Sequence, residues 1–437
     1  MSSWFDLGSY FQASTDSSPG ASRRQPAGNR PARNSYSTMT TSDSPSKTPE
    51  ISIEPQPDCS EFATSIDGWP RWLLAARVYA LRSAASCAFS CITPFPCEMP
   101  QTVSTFYIDS TISRDCAPQA IAVDVWMPTP SPALHSARPA LINFHGGGFV
   151  IGQGTDDRIW TSYAQQELGA VVFSVNYRLA PGYPFPTPME DCLDAILQIA
   201  ARAEEFGISR DQIFLSGFSA GGSLALSSWI VLQDPARWDY HFELPIPSIK
   251  GLALFYPGLD WSISREEKRR GCAQPDLTLP ASMTDMFDCS YIYPNRPREG
   301  RRDLRLSPGL MEDALLKKMP PTHFCLCEHD MLLAEEFRFI SRLKAANRDV
   351  THRIVLDEQH AWDKPMPFAP KPSVMEEYTV TINEIRRWID PSWMDRGYAP
   401  MESMETLSHV KSDSISNSSK RMLPFVVERS ISSTSSC

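Results

Sequence analysis

A serine stands at the centre of a glycine-flanked turn. The sequence GFSAG at 217–221 follows an apolar run at 212–218 and opens an apolar helical stretch at 220–233. This G-x-S-x-G pattern is typical of a sharp strand-to-helix turn that exposes the serine hydroxyl, and its glycines allow close approach of strand and helix. The adjacent helix N-terminus favours developing negative charge. We therefore predict that Ser219 is a nucleophile, with a simple helix cap as the alternative.

Three consecutive glycines follow another apolar run upstream, in HGGGF at 145–149. A strand that ends in glycines exposes backbone N–H groups, which are the fixed donors that a tetrahedral oxyanion needs. We predict that the N–H groups of Gly146, Gly147 and Ala220 form an oxyanion hole. A phosphate-binding loop is the alternative, but it would carry a Lys or Ser/Thr directly after the glycines, where Phe149 stands.

A general base can be sought among only eight histidines. Six of them lie in predicted strands, in linkers, in the glycine loop or near the end of the chain, and these are His135, His145, His241, His323, His352 and His409. His329 and His360 remain. His360 follows the last predicted strand, where a loop can bring its imidazole over the sheet edge to Ser219. We predict that His360 is the general base.

The acid that orients the base should follow the strand before the last. The turn at 217–221 is called the nucleophile elbow, or elbow, below. Hydrolases with such an elbow have the chain order serine, acid, histidine. Asp330 comes directly after the apolar run at 322–329, where a short carboxylate can reach His360 and hold its tautomer. Glu328 is the alternative acid, and Asp330 could instead cap the helix that follows it.

Motifs spread over roughly residues 100–390 resemble one known family. They are HGGGF at 145–149, YRLAPGYPFPTPMEDC at 177–192, GFSAGG at 217–222, SPGL at 307–310, EHDMLLAE at 328–335 and the loop that ends in His360. In this order they resemble the hormone-sensitive-lipase-like carboxylesterases among the α/β-hydrolases. The resemblance implies a Ser–Asp–His triad, an HGGG-type oxyanion hole and a cap formed partly by N-terminal helices. It also implies activity on short to medium acyl esters, and we expect neither a cofactor nor a metal ion.

Two positions depart from that family's pattern. Phe218 precedes the nucleophile where the family more often has an acidic residue, and Ala361 and Trp362 follow the base in place of the commoner Gly-Phe. Both departures put bulky side chains near the expected substrate pocket. We therefore predict that Phe218, Trp362 and Phe149 line the substrate pocket.

Short β-branched and aromatic runs alternate with helical stretches along the chain. The predicted strands are 103–112, 121–127, 140–146, 170–179, 212–218, 250–258, 322–329 and 351–357, and the predicted helices are 188–206, 220–233, 331–346 and 374–389. This alternation predicts an α/β fold of the α/β-hydrolase type, with a mostly parallel central sheet, helices on both faces and a helical cap.

Composition divides the chain into four regions. We predict a disordered Ser/Thr/Pro-rich tail at 1–58, N-terminal cap helices at 59–100, a catalytic domain at 101–395 and a disordered Ser-rich tail at 396–437. The first 50 residues contain 12 Ser and 5 Thr, too polar a composition to bury enough surface to offset the entropy of ordering. The stretch 259–315 interrupts the strand–helix alternation and is predicted as a cap insertion.

The net charge and the cysteines indicate which kinds of partner and which cellular compartment to expect. The net charge is −10 without a basic block, which argues against a nucleic-acid partner. The 11 cysteines include no CxxC pair and are best read as free thiols in a reducing compartment. We find neither the apolar region of a secretory signal nor a run long enough to span a bilayer, and expect a cytoplasmic protein. Peripheral membrane contact through Trp4–Phe11 or 69–92 is a further hypothesis.

Together these residues predict a serine carboxylic ester hydrolase that works through an acyl-enzyme intermediate on a small-molecule or lipid ester. Three other functions stay open: acyl transfer to an acceptor other than water, lipase action at a lipid surface, and ligand binding without catalysis. The last usually goes with loss of a triad residue, and here Ser219, Asp330 and His360 are all present.

Overall fold

The computed structural model describes residues 59–91, 103–114, 116–128, 137–364 and 371–396. Eight strands form one sheet: β1 (Val103–Asp109), β2 (Ala120–Trp126), β3 (Arg138–Phe144), β4 (Val171–Val175), β5 (Ile208–Phe218), β6 (Ile249–Phe255), β7 (Thr322–His329) and β8 (Val350–Gln359). The predicted tail at 1–58, with its Trp4–Phe11 segment, lies outside the described residues. The predicted tail at 396–437 lies outside them beyond Arg396.

The helices of the described residues are α1 (Arg71–Cys91), α2 (Arg158–Leu168), α3 (Thr187–Ala201), α4 (Ala203–Phe206), α5 (Ala220–Gln233), α6 (Arg265–Arg270), α7 (Ala281–Tyr291), α8 (Asp313–Leu316), α9 (Leu333–Ala345) and α10 (Pro372–Ile389). Short 3₁₀ turns lie at Ser60–Phe62, Gly154–Asp157, Pro235–Trp238, Pro275–Leu277, Glu299–Arg302, Pro308–Leu310 and Pro391–Arg396. No helix in this part of the chain is long and apolar enough to cross a membrane.

The strands follow the order β1-β2-β4-β3-β5-β6-β7-β8. β2 is antiparallel to both β1 and β4, and all the other pairs are parallel. This confirms the predicted mostly parallel sheet. The central strands are apolar along most of their length because helices cover both of their faces. The carboxyl ends of β3 and β5 to β8 therefore meet at one edge of the sheet.

Successive side chains of each strand point to opposite faces of the sheet, so the apolar side chains form two separate clusters. Leu215 of β5 joins the cluster beneath α3, α5 and α9, which we call the α5 face. Its neighbour Phe214 joins the cluster beneath α2 and α10, which we call the α10 face. Since side chains two residues apart point to the same face of a strand, Phe218 lies on the α10 face with Phe214.

Between β3 and β4 the structure contains a helix that the sequence prediction missed. α2 crosses from β3 to β4, and its buried Trp160 and Ala164 lie one helical turn apart against the α10 face. Its sequence RIWTSYAQQEL includes Ile, Trp, Thr, Ser and Tyr, which are weaker helix formers than Ala or Leu. Amphipathic spacing over 158–168 is the signal that could have revealed it.

The two regions predicted as cap pack beside the carboxyl edge of the sheet. Leu74 and Val78 of α1 are buried in the cluster of the α5 face. Arg82 of α1 donates to the carbonyl oxygens of Val150 and Ala180, each at 2.7 Å. The insertion at 259–315 contributes α6 and α7.

Candidate active site

The turn between β5 and α5 holds Ser219 in a strained conformation. Its φ of 51° and ψ of −116° lie in a region that side chains with a Cβ rarely adopt. A Cβ on Gly217 would overlap the carbonyl oxygen of Gly221, and one on Gly221 would overlap that of Phe144. Glycine at both positions therefore allows strand and helix to close tightly around the serine.

Three side chains from separate elements meet at this turn. The Ser219 hydroxyl lies 2.8 Å from His360 Nε2, and His360 Nδ1 lies 2.5 Å from Asp330 Oδ2. The Asp330 side chain is fully buried and that of His360 nearly so, while Ser219 is half-buried. The structure thus brings together the predicted nucleophile, base and acid in the hydrogen-bonded order Ser219, His360, Asp330.

Strand ends position the three groups. β7 ends at His329, and Asp330 follows, its Oδ1 accepting a hydrogen bond from the N–H of Leu332 at 3.1 Å. β8 ends at Gln359, one residue before His360. A register shift between β7 and β8 precedes the pairing of His329 with Gln359. Adjacent parallel strands therefore deliver the acid and the base side by side.

Glu328, the alternative acid, has a different partner. Its Oε2 accepts a hydrogen bond from the N–H of Asp357 at 2.7 Å. With His329 these two residues form a group whose potential metal-ligand atoms lie within 4.8 Å of one another. Asp357 is exposed, and the described partner of the Glu328 carboxylate is the backbone of Asp357 rather than His360.

The glycine loop at 145–149 lies against the elbow. Gly147 and Gly148 have φ of 114° and 62°. A Cβ on Gly147 would overlap the carbonyl oxygen of Ile151, and one on Gly148 would overlap the ring of Phe287 in α7. A Cβ on Gly146 would lie 3.2 Å from the carbonyl oxygen of Phe218. The loop is therefore confined between the elbow and the insertion.

His145 supports this loop as a neutral group. Its Nδ1 lies 2.8 Å from the carbonyl oxygen of Gly146, to which the protonated nitrogen donates. Tyr177 stacks on the imidazole with ring centroids 4.2 Å apart and donates to the His145 carbonyl oxygen at 2.7 Å. Burial lowers the pKa of His145 to about 4, so the ring is uncharged at neutral pH.

A second buried carboxyl group lies close to Asp330. Burial, with Asp330 and Glu335 nearby, raises the pKa of Glu336 well above its usual value. The raised pKa favours the neutral, protonated form of Glu336 beside Asp330. Glu335 instead pairs with Lys268 of α6 at 2.6 Å, a buried bridge between the insertion and α9.

Sequence reasoning missed a polar network on the α10 face, directly behind the elbow. Lys364 Nζ lies 2.8 Å from Asp157 Oδ1 and 2.7 Å from Asp363 Oδ2. Asp363 also accepts hydrogen bonds from the phenol groups of Tyr256 and Tyr378. The five residues come from four separate parts of the chain, so no local motif could have revealed the network.

Two of the three predicted pocket residues lie elsewhere. Phe218 is completely buried on the α10 face, stacked on Phe255 with ring centroids 4.3 Å apart. Trp362 belongs to the same cluster. Their assignment to the pocket is corrected because both pack behind the sheet. Phe149 alone lies on the α5 face, stacked on Tyr291 of α7 at 3.7 Å.

Comparison with known families supports the same architecture. Residues 141–364, about half of the chain, match a family model described as the alpha/beta hydrolase fold. An arylesterase from Saccharolobus solfataricus is 37% identical over 256 residues, which are 58% of this chain and 76% of the relative. An arylacetamide deacetylase from Bos taurus is 26% identical over 294 residues, 56% of this chain and 73% of the relative.

Solved structures share the fold. A thermostable carboxylesterase cloned from a metagenomic library superposes with a TM-score of 0.59 at 24% identity. The similarity covers 73% of this chain and 98% of that enzyme. At this identity the similarity concerns the arrangement of strands and helices alone.

Proposed function

Because the chain belongs to the alpha/beta hydrolase fold family, we propose that Ser219, His360 and Asp330 are the catalytic groups of a serine carboxylic ester hydrolase. The relatives named above are esterases and a deacetylase, and the chain is an esterase of the same kind. The observation that carries the residue assignment is the pair of hydrogen bonds, 2.8 and 2.5 Å long, that connects the three side chains.

Acylation begins when Ser219 Oγ attacks the ester carbonyl carbon and its proton passes to His360 Nε2. The Nδ1–H group of His360 keeps donating to Asp330, whose negative charge stabilises the imidazolium that forms. The N–H groups of Gly146, Gly147 and Ala220 donate to the oxyanion of the tetrahedral intermediate. The confinement of the glycine loop supports this role, because donors fixed in advance need no reorganisation.

The intermediate collapses when His360 returns the proton to the leaving alkoxide oxygen. The alcohol departs and the acyl group remains on Ser219 Oγ. Water then attacks the acyl carbonyl while His360 accepts one of its protons. Collapse of the second tetrahedral intermediate releases the carboxylic acid, and His360 reprotonates Ser219. No cofactor takes part in these steps.

The proposed substrates are small esters with short to medium acyl groups. Aromatic side chains crowd the α5 face beside the glycine loop: Phe149 is stacked on Tyr291 and packs against Trp261 at 5.7 Å. This crowding supports a short acyl site. A series of p-nitrophenyl esters from acetate to palmitate should give the highest kcat/KM between acetate and octanoate. A maximum at palmitate would contradict the proposed chain length.

A peripheral contact with a lipid surface is the remaining part of the proposal. Trp69, Trp72, Leu73 and Tyr79, in and just before α1, expose large apolar side chains, and Trp72 is 71% exposed. Flotation with phosphatidylcholine vesicles should recover the protein with the lipid and lose it for Trp72→Glu. Equal flotation of both proteins, or of neither, would contradict the contact.

The catalytic assignment is tested with a matched pair of serines. Ser219→Ala should lower the kcat for p-nitrophenyl butyrate by about a million-fold, since the nucleophile is lost and only oxyanion binding remains. Ser216, three residues earlier, is buried and donates to Asn143 Oδ1 at 2.8 Å. Ser216→Ala should therefore cost stability rather than turnover. An active Ser219→Ala beside a folded but inactive Ser216→Ala would overturn the assignment.

A further inference from the structure

One face of His360 is packed by an aromatic ring. Tyr256 directly follows β6, and its ring meets the imidazole at a centroid distance of 4.8 Å and an angle of 64°. This edge-to-face arrangement is a favourable geometry for aromatic pairs. Rotation of the imidazole toward Tyr256, away from its partners Ser219 and Asp330, would have to displace this ring.

The backbone of Tyr256 is fixed within the site. Its N–H donates to the carbonyl oxygen of Cys325 in β7 at 2.7 Å. The carbonyl oxygen of the preceding Phe255 accepts from the N–H of Ser219 at 2.8 Å. Tyr256 is thus tied by backbone to the strand that carries the acid, and by its neighbour to the nucleophile.

The phenol of Tyr256 has one acceptor, the carboxylate of Asp363. Asp363 lies three residues after His360 and is almost completely buried. Its Oδ1 accepts from Tyr256 and its Oδ2 from Tyr378 of α10 at 2.7 Å. The turn that carries His360 is therefore connected through Asp363 to the ring that packs against His360.

Lys364 pairs with the Asp363 carboxylate, which accepts both phenol hydrogen bonds. Its ammonium lies between the carboxylates of Asp363 and Asp157 and 3.6 Å above the centre of the Phe218 ring. A buried carboxylate without a cation would take up a proton or destabilise the fold. The aromatic face of Phe218 adds a further favourable contact for the cation, at the position where an acidic residue is more usual.

We propose that Tyr256, anchored by Asp363, is a positioning residue that holds the His360 imidazole in line with both Ser219 and Asp330. This inference rests on the proposed function of Ser219 and His360. A displacement of the base by about 1 Å can lower a rate about 100-fold, so a ring that prevents such displacement acts on kcat. We expect KM to stay unchanged because the Tyr256 side chain is almost completely buried and does not reach a bound substrate.

Two tyrosines provide a matched test. Tyr256→Phe and Tyr378→Phe each remove one phenol hydrogen bond to Asp363 from a buried ring, but only Tyr256 contacts His360. Both variants should unfold at lower urea concentrations. Tyr256→Phe should lower the kcat for p-nitrophenyl butyrate by roughly 3- to 10-fold without changing KM, a part of the loss expected for full displacement. Tyr378→Phe should keep its kcat within about two-fold of the unmodified protein.

Removing the ring enlarges the effect. Tyr256→Leu should lower kcat by about 100-fold with KM unchanged, and should slow modification by a fluorophosphonate to the same extent. Equal kcat losses in the two Phe variants, or a folded Tyr256→Leu with full kcat, would overturn the inference. If Tyr256→Leu does not fold, the Phe pair decides. An active Ser219→Ala would instead overturn the proposed function, which keeps the two failures distinct.

Discussion

The nucleophile and the base are held in place by different means. The Ser219 elbow is fixed by backbone: its flanking glycines touch main-chain atoms of the same turn and of β3. The His360 turn is fixed by side chains, through Asp363, Lys364 and the groups that they bind. At its two glycines the elbow has no room for a Cβ. The His360 turn depends instead on the charge and hydrogen bonds of residues distant in sequence.

This difference sets how each part responds to substitution. A side chain at Gly217 or Gly221 adds atoms where none fit, so main-chain atoms of the strand, the turn or the helix must move. A change in the network behind His360 leaves the backbone in place and removes a charge or a donor. A substitution at an elbow glycine should therefore prevent folding. Substitutions in the network behind His360 should each lower stability or activity by a limited amount.

The largest loss of stability is expected from Gly221→Ala. The new Cβ would overlap the carbonyl oxygen of Phe144, so folded protein should not accumulate. Gly169→Ala is the matched control, since its added Cβ meets no atom within 4 Å and costs only the strain of a φ of 60°. We expect a loss of about 1 kcal/mol in the control, measured by urea unfolding. Similar stability of the two variants would contradict the backbone account of the elbow.

The next effect separates the two candidate acids. Asp330→Asn removes the charge that faces His360 Nδ1 and favours the wrong tautomer, so kcat should fall by up to about four orders of magnitude. Glu328→Gln should cost much less, because Glu328 accepts from the backbone of Asp357 and does not meet His360. Steady-state kinetics on p-nitrophenyl butyrate measures both. A greater loss in Glu328→Gln would reassign the acid.

Lys364→Met tests the side-chain account of the His360 turn. It leaves the buried Asp157 and Asp363 without their cation, and should lower the free energy of unfolding by about 3 to 5 kcal/mol. Lys364→Arg retains the positive charge and should recover at least half of that loss in urea unfolding. Equal stability of the Met variant and the unmodified protein would show that the network does not hold the turn.

Sequence reasoning reached the elbow and missed the network for the same physical reason. Glycines required by backbone contact are local in sequence, so the G-x-S-x-G pattern and the HGGG loop could be recognised and placed on the predicted strands. Asp157, Tyr256 and Asp363 come from distant segments, and nothing near any of them in sequence marks their meeting.

The error at Phe218 has a different origin. Residues two apart share a face of a strand, so Phe218 falls with Phe214 on the α10 face, opposite Leu215. The strand period in the sequence therefore indicates the buried face, whereas proximity to Ser219 along the chain does not. The helix α2 was missed because its sequence contains several weak helix formers, although the amphipathic spacing is present.

The smallest expected effect is a pH-dependent loss of stability that involves His145 in the glycine loop. The pKa of His145 is lowered to about 4 in the folded protein, against 6.5 in the unfolded chain. Its contribution to stability is therefore present above pH 6.5 and is lost as pH falls from 6.5 to 4, by about 3 kcal/mol. His145→Gln should remove this part of the pH dependence in urea unfolding and also lower kcat, since it alters the loop.

His323 serves as the control for that change. Burial lowers its pKa to about 3, and it lies in β7, where it contacts Thr351. His323→Gln should reduce the pH dependence of stability in the same direction while leaving kcat at pH 7.5 unchanged. A His145→Gln variant whose unfolding keeps the full pH dependence would show that another group is responsible.

The most direct test of the central claim is to map the residue that a fluorophosphonate modifies. The account predicts a single adduct on the peptide that contains Ser219, formed with loss of esterase activity and slowed while an ester substrate is present in excess. It also predicts much slower labelling of Asp330→Asn, because the same proton transfer to His360 is required. An adduct on another residue that accompanies inactivation, or ester hydrolysis that continues with Ser219 fully modified, would contradict the account.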